Sequence, residues 1–313
     1  MEKGRNNIDA EILGKLIAIL RPALTGTAPE TLPEAVSEEE WRTLYAFCSA
    51  QKIQGLLHEG VNALPEDIAS SLPLDVAAKL SSDALRIAET HRRHREEIAR
   101  QETMFSRLGV KAVMLKGLCS AARYPHPESR VLGDIDWWIP SRKDRSKALD
   151  AIRGRMPERD SDFDVHYVTS SGIVVEHHRK GYRLEGDDGE RLLQLEHLFH
   201  HAAVGGVTLR HLCDYAALRY SLRDAPPGEE YVRLTSRLGL EEWAQAVDAL
   251  ADHMLFESEL SAPAGAILNF SSGLTGTAPR VLFCLKIAPR RFFLRFSGLV
   301  MGRMCRIMTI FAD

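Results

Sequence analysis

Two carboxylates two residues apart mark the segment Val131–Ile139, which reads VLGDIDWWI. Asp134 and Asp136 alternate with apolar residues, and successive side chains of a β-strand point to opposite faces. The acids therefore share one face of a predicted strand, while Ile135 and Trp137 face a core. Two oxygen donors side by side on a rigid strand can hold a divalent metal ion against a triphosphate.

A lysine and a glycine separate this strand from an earlier apolar run. Lys111–Leu115 is predicted to form a short strand, and Leu118–Arg123 is predicted to form one or two helical turns. Lys116 and Gly117 would then occupy a turn between these elements. The sequence thus predicts a glycine turn close to the two acids.

A third acid lies in the run IVVEHH. Val174, Glu176 and His178 would share one face of this strand, and Val175 and His177 the other. An acid in such an apolar strand is unusual without a partner or a function. A D-x-D pair alone is a weak signal, but a strand, a Lys-Gly turn, an acidic strand, a helix and a hairpin with a third acid form a rare combination.

Composition narrows the class of protein. The chain has 313 residues, a net charge of -3 and 45% hydrophobic residues, so it can bury a core and does not resemble a general nucleic-acid binder. Its five cysteines are scattered without C-x-x-C spacing, which favours a reducing, cytoplasmic location. The polar N-terminus predicts no signal peptide, and no apolar run is long enough for a transmembrane helix.

Helices are predicted throughout residues 1–109. The first covers Glu11–Leu20 and ends with the help of Pro22. Ser37 and Glu40 have the spacing of a capping box, which predicts the start of another helix.

A longer helix is predicted to begin at Ser82 or Asp83 and to run to Leu108, where Gly109 closes it. The charged middle of this helix, ETHRRHREE, is predicted to form a solvent-exposed helix face.

Residues 110–185 carry the strand signals. A helix over Ser141–Ile152 follows the acidic strand, and Phe163–Val168 and Ile173–His178 form a predicted hairpin. Helices return over 186–313, except for a predicted loop at 257–279. The expected fold is α+β, with a small mixed sheet between N-terminal and C-terminal helical regions.

The segments LKGLCSAARYPHPESRVLGDIDWWIP, VVEHH, LEHLFHHAA and LRHLCDYAAL resemble the uncharacterised bacterial nucleotidyltransferase family. That family is a branch of the DNA polymerase β-like nucleotidyltransferase superfamily. The resemblance covers roughly residues 80–255, and LKG with RxxxDID is its specific part. The chain departs from the superfamily's Gly-Ser at Gly117-Leu118, and His177 replaces a usual hydrophobic residue.

The resemblance implies that Asp134, Asp136 and Glu176 bind two Mg²⁺ ions, or Mn²⁺ in their place. Glu176 would also help to deprotonate an acceptor hydroxyl. Two metal ions about 4 Å apart would stabilise the attacking and leaving oxygens of an in-line displacement at phosphorus.

The resemblance also implies a nucleotide-binding set. Gly117 would let the backbone approach the triphosphate, and Lys116 and Arg130 would neutralise phosphate charge. His178 joins this set because it shares a strand face with Glu176.

The expected reaction moves a nucleoside monophosphate from an NTP, such as ATP, to a hydroxyl of a protein, a small molecule or an RNA end. A metal-dependent D-x-D glycosyltransferase is one alternative, although those enzymes place α/β structure where this chain has helices. A degenerate core that serves as a nucleotide-binding or interaction module is another.

Seven of the twelve histidines cluster between His166 and His211. His197 and His201 lie one helical turn apart, a spacing that can bind zinc, but core or interhelical contacts are the simpler reading. Asp214, in an apolar helix, either caps the active site or pairs with an arginine. Trp138 shares the face of the aspartates and could touch a base.

The C-terminal segment Arg290–Phe311 mixes arginine with apolar residues and has no acid. Its arginines do not segregate cleanly from its apolar residues, which favours a helix packed on the domain. Docking on an anionic membrane surface is the sharper alternative.

Overall fold

The computed structural model describes residues 8–28, 35–152, 159–160, 164–178, 181–204 and 207–271. Its helices are α1 (Ala10–Thr25), α2 (Glu38–Gln51), α3 (Gln54–Asn62), α4 (Glu66–Ala69), α5 (Leu74–Leu108), α6 (Leu118–Ala121), α7 (Arg142–Ile152), α8 (Gly186–Val204), α9 (Leu209–Ser221), α10 (Glu229–Leu238), α11 (Glu241–Phe256) and α12 (Ala262–Ser271). Its strands are β1 (Val113–Met114), β2 (Ile135–Trp138), β3 (Arg159–Asp160), β4 (Asp164–Val168) and β5 (Val174–His178).

The strands form one mixed sheet in the order β1-β2-β5-β4-β3. β2 pairs with β5 in parallel, whereas β1 with β2, β4 with β5 and β3 with β4 are antiparallel. A small mixed sheet with helices before and after it confirms the predicted α+β fold. The parallel pair places Asp136 directly opposite Glu176.

The first two N-terminal helices follow their sequence signals except at Pro22. Ser37 and Glu40 form the predicted capping box at the start of α2. Pro22 does not end α1, because the helix continues to Thr25 and closes at Gly26, whose φ of 73° is left-handed. The buried residues of this last turn belong to the core, and their packing offsets the helix-breaking effect of proline.

The start of α5 at Leu74 corrects the prediction of a helix beginning at Ser82 or Asp83. Asp83 is buried inside the helix, where it accepts a hydrogen bond from the Tyr45 hydroxyl at 3.1 Å instead of capping a terminus. The predicted end at Leu108 and Gly109 is confirmed.

Two apolar clusters make up the core, and α5 contributes to both. The larger cluster joins helices from both ends of the chain, including α1, α9 and α11. The smaller one packs Ile98 and Phe105 of α5 against the inner face of the sheet and against α7. The division of the chain at 110 and 185 stays a prediction.

The loop predicted at 257–279 is wrong for Ala262–Ser271, which forms α12. Its buried residues Ala264, Ile267 and Leu268 have helical spacing and pack in the larger cluster. The basic segment Arg290–Phe311 lies outside the described residues. Among the helices that are described, none has the length and apolarity needed to span a bilayer.

Two buried histidines of α5 hold the loop that leads into β2. His91 Nε2 lies 2.8 Å from the carbonyl oxygen of Arg130, and His94 Nε2 lies 2.8 Å from that of Gly133. Because Gly133 immediately precedes Asp134, these bonds fix the backbone from which the first acid projects.

We expect His91→Ala to lower the free energy of unfolding by about 1–3 kcal/mol, because the buried carbonyl of Arg130 loses its donor. Urea unfolding followed by circular dichroism measures this change. Glu102→Ala, an exposed position on the same helix, should change it by less than about 0.5 kcal/mol. Equal effects of the two variants would contradict the anchoring role of His91.

Candidate active site

The three acids meet at the parallel pair of strands. Asp136 is 2% exposed on β2, and Glu176 is its register partner on β5. Asp134 directly precedes β2, and its side chain is hydrogen-bonded to Glu176. All three line one pocket, as the predicted metal set requires.

Asp136 has two positively polarised partners. Lys116 Nζ lies 3.0 Å and His178 Nε2 lies 2.6 Å from Asp136 Oδ1. Burial acts to raise the pKa of Asp136, but the His178 hydrogen bond and the Lys116 charge outweigh it, so the pKa is lower than usual. Asp136 therefore stays an ionised carboxylate that can bind a cation.

Glu176 has the opposite character. Burial, together with the charges of Asp134 and Asp136, raises its pKa to about 7, and His178 only partly opposes this. Glu176 Oε1 also lies 2.8 Å from His166 Nδ1. Two carboxylates in one site thus titrate far apart, which is a common feature of acid–base and metal sites.

Gly117 is placed beside these acids by an unusual backbone conformation. Its φ of 68° and ψ of -111° suit glycine and strain other residues. Among the described residues, a Cβ at this position would meet the Asp134 carbonyl oxygen alone, at 3.6 Å. The backbone conformation is therefore a reason for glycine that the sequence did not reveal, besides close approach of a ligand.

Arg130 was predicted to neutralise phosphate charge, but in the structure its charge is paired with a carboxylate. Its guanidinium forms a bidentate ion pair with Asp214, with Nε at 2.7 Å and Nη2 at 2.8 Å from the two carboxylate oxygens. The Tyr124 hydroxyl donates to the same carboxylate at 2.7 Å. Burial opposes ionisation of Asp214, but Arg130 and Tyr124 keep its pKa below the usual value. Of the two readings of Asp214, the structure selects pairing with an arginine.

His177 is part of the core. This agrees with the resemblance described above, in which a hydrophobic residue is usual at its position. It is 2% exposed, and its ring packs against Phe105 and Tyr167. Burial, with the charge of His178, lowers its pKa to about 4, so it packs as a neutral aromatic residue.

The pocket has a volume of about 1400 Å³ and is lined by arginines as well as by the acids. Trp138 lines it on the face of the aspartates and packs edge-on against Tyr182, with ring centroids 6.4 Å apart. Three arginines from outside the sheet also line the pocket: Arg183, which pairs with Glu196 at 2.9 Å, Arg210 and Arg237. A pocket of this size exceeds the usual 300–1,000 Å³ of a small-molecule site, so it has room for two substrates.

Three histidines line the same pocket beyond Lys116. His197 and His201 of α8 are joined there by His211 of α9, with His201 and His211 stacked at 4.3 Å between ring centroids. The spacing of His197 and His201 can be read from the sequence, whereas the position of His211 depends on how α8 and α9 pack. The available signal was the spacing of His211 and Asp214, which lie three residues apart in α9 and both line the pocket.

The titration of Glu176 should appear in the stability of the metal-free chain. The raised pKa means that the folded state keeps a proton which the unfolded state loses near its ordinary pKa of 4.5. This contribution to stability is complete below that pH and is lost as the pH rises to about 7.

We expect Glu176→Gln to flatten this part of the curve, because glutamine does not titrate. Urea unfolding in EDTA at a series of pH values measures it, with Glu102→Gln as the exposed control. Identical pH dependence of Glu176→Gln and the unaltered chain would contradict the raised pKa.

The Arg130–Asp214 pair gives a second expectation. Asp214→Asn should destabilise the fold by about 3–5 kcal/mol, because it leaves the Arg130 guanidinium buried without a counter-charge. Asp252→Asn breaks the more exposed pair with Arg219 and should cost no more than about 1 kcal/mol. Thermal or urea unfolding of both variants tests this, and a smaller loss for Asp214→Asn would contradict it.

Comparison with known proteins agrees with the geometry of the acids. No curated protein and no solved structure matches the chain significantly. The family of uncharacterised nucleotidyltransferases matches residues 37–195, which is just over half of the chain and includes the Lys-Gly turn and all three acids. The chain belongs to this uncharacterised nucleotidyltransferase family.

Proposed function

We propose that the chain transfers a nucleoside monophosphate from an NTP to a hydroxyl group and releases pyrophosphate. The observation that carries this proposal is the position of Asp136 opposite Glu176 on parallel strands, with Lys116 Nζ 3.0 Å from Asp136 at the edge of the pocket. This arrangement combines anionic ligands for a metal ion with a cation for phosphate.

The acids fit a divalent metal ion. Ligand atoms of Asp136, Glu176 and His178 lie within 4.8 Å of one another, and Asp134 contacts Glu176. Carboxylate oxygens are the ligands that Mg²⁺ prefers, so Asp134, Asp136 and Glu176 would hold it. When bound, the metal would supply charge stabilisation for the attacking and leaving oxygens.

Lys116 and Gly117 would orient the triphosphate. The Lys116 ammonium, now paired with Asp136, is close enough to share its charge with a phosphate oxygen. The conformation of Gly117 exposes backbone without a side chain at the mouth of the site. Trp138 would offer a ring face to the base.

Arg130 would act through position rather than by touching phosphate. Its ion pair with Asp214 ties the loop before β2 to α9, so the acids keep their place relative to the α9 residues that line the pocket. In this proposal, phosphate charge is neutralised by Lys116 and by the arginines that line the pocket.

The reaction balances as an in-line displacement. The acceptor oxygen forms a bond to the α-phosphorus, and the bond from that phosphorus to the bridging oxygen of the β-phosphate breaks. Pyrophosphate leaves with the electron pair. The hydroxyl proton passes to a carboxylate oxygen of Glu176, which acts as the general base.

Paired radioactive labels test the proposal. The full chain is incubated with Mg²⁺, an NTP and a cell extract as the source of acceptors, with the label on the α-phosphate or the γ-phosphate. Nucleotidyl transfer moves only the α label to the acceptor and releases the γ label in pyrophosphate. A nucleotide-sugar donor in the same assay tests the glycosyltransferase alternative.

Asp134→Asn should reduce α-label transfer at least about 100-fold, because it removes a metal ligand while keeping the shape of the side chain. Glu102→Gln is the matched control and should keep full transfer. Calorimetry with a non-hydrolysable NTP separates the outcomes further. Absence of Mg²⁺-dependent nucleotide binding by the unaltered chain would refute the function, and binding without any transfer would favour the degenerate module.

A further inference from the structure

Three imidazoles that line the pocket have the geometry of a metal site built from residues other than the acids. His197 and His201 lie one turn apart on α8, with 3.1 Å between their Nε2 atoms. His211, in the first turn of α9, brings a third nitrogen, and one ligand atom from each residue lies within 4.8 Å of the others.

These distances suit tetrahedral coordination. Zn–N bonds of about 2.0–2.1 Å place two ligand nitrogens about 3.3 Å apart, close to the separation found for His197 and His201. His211 contacts both rings, with centroids 4.3 Å from His201 and 5.4 Å from His197. Rotation of its side chain would bring the third nitrogen into range.

The imidazoles are also in the right charge state. Burial lowers the pKa of His201 to about 4 and that of His211 to about 3, and neighbouring Lys116 and Arg210 act in the same direction. Burial likewise lowers the pKa of His197. All three rings are therefore neutral at physiological pH and have a lone pair available to a metal.

We propose that His197, His201 and His211 bind a transition-metal ion of the Zn²⁺ class, with a fourth coordination position open to the pocket. Imidazole nitrogens suit Zn²⁺, Cu²⁺ or Ni²⁺, whereas the carboxylates of Asp134, Asp136 and Glu176 suit Mg²⁺. The pocket would thus hold two metals of different chemistry. This site does not depend on the proposed nucleotidyl transfer.

Thr208 holds the His211 ring at the start of α9. Its backbone N–H donates to His211 Nδ1 at 3.2 Å, and its Oγ1 lies 3.1 Å from the same nitrogen. Nδ1 is therefore the acceptor, and Nε2 carries the proton of the neutral ring. Rotation of the ring onto a metal ion would replace this capping contact with a metal–nitrogen bond.

Charge around the site indicates what fills the fourth position. Three neutral ligands leave the ion with its full double charge, and Lys116 and Arg210 add to it, whereas Asp214 acts in the opposite direction near His211. An anion is favoured there, either hydroxide or an oxyanion such as phosphate. The open position would thus bind an anionic group of a molecule in the pocket.

Cobalt spectroscopy on the full chain tests the site directly. Co²⁺ titrated into metal-free protein should give the visible absorption of tetrahedral coordination, and one equivalent of Zn²⁺ should abolish it while excess Mg²⁺ should not. No tetrahedral band, or displacement by Mg²⁺, would overturn the proposal.

Variants assign the signal to the three histidines. His211→Ala should weaken Co²⁺ binding at least about 100-fold. His200→Ala removes a neighbouring pocket histidine outside the triad and should leave the spectrum unchanged. A spectrum lost equally with His200→Ala would assign the ion elsewhere and refute the site.

Two further measurements do not depend on the folding of a variant. X-ray absorption of the Zn²⁺-loaded chain should show three imidazole nitrogens at about 2.0–2.1 Å, and fewer than three would contradict the ligand set. Inorganic phosphate should change the Co²⁺ spectrum by entering the fourth position. An unchanged spectrum at saturating phosphate would refute the open position.

Discussion

Repulsion between buried carboxylates is the constraint on which the rest of this site depends. Like charges 4 Å apart repel by about 4 kcal/mol at the effective dielectric of a protein surface, and the pairing of β2 with β5 brings Asp136 and Glu176 side by side. The chain offsets this cost in two ways. Lys116 and His178 keep Asp136 ionised, while Glu176 retains a proton up to about pH 7. A bound cation would neutralise the same repulsion, so the acids are arranged to favour a metal ion.

Such a site requires a backbone that does not yield to the repulsion. The loop before β2 is held on one side by the hydrogen bonds of His91 and His94 from α5. It is held on the other side by the Arg130–Asp214 pair, which ties it to α9. Because α5 packs in both apolar clusters, the helical core and the sheet cannot shift independently without breaking buried contacts.

The features that the sequence predicted correctly are mostly those that depend on local patterns. The α+β class, the capping box of α2 and the mixed sheet depend on periodicity and turn chemistry within a few residues, and these predictions are confirmed. The predicted start of α5 was wrong because Asp83 resembles an N-cap residue in the sequence. Its actual hydrogen-bond partner, Tyr45, lies 38 residues away. His211 and the partner of Arg130 likewise depend on the packing of helices far apart in sequence, and no local pattern reports such contacts. The roles of the site residues stay proposals.

Lys116 links the two ends of the pocket. It pairs with Asp136 at the acidic end, and its charge lowers the pKa of His197 and His201 at the other. If a triphosphate drew Lys116 away from Asp136, the acids would lose a counter-charge as the histidines gained an anionic neighbour. The acids would then hold a hard cation more tightly, and a cation at the histidines would also become more favourable. One lysine would therefore couple the acids and the histidines electrostatically to a bound triphosphate.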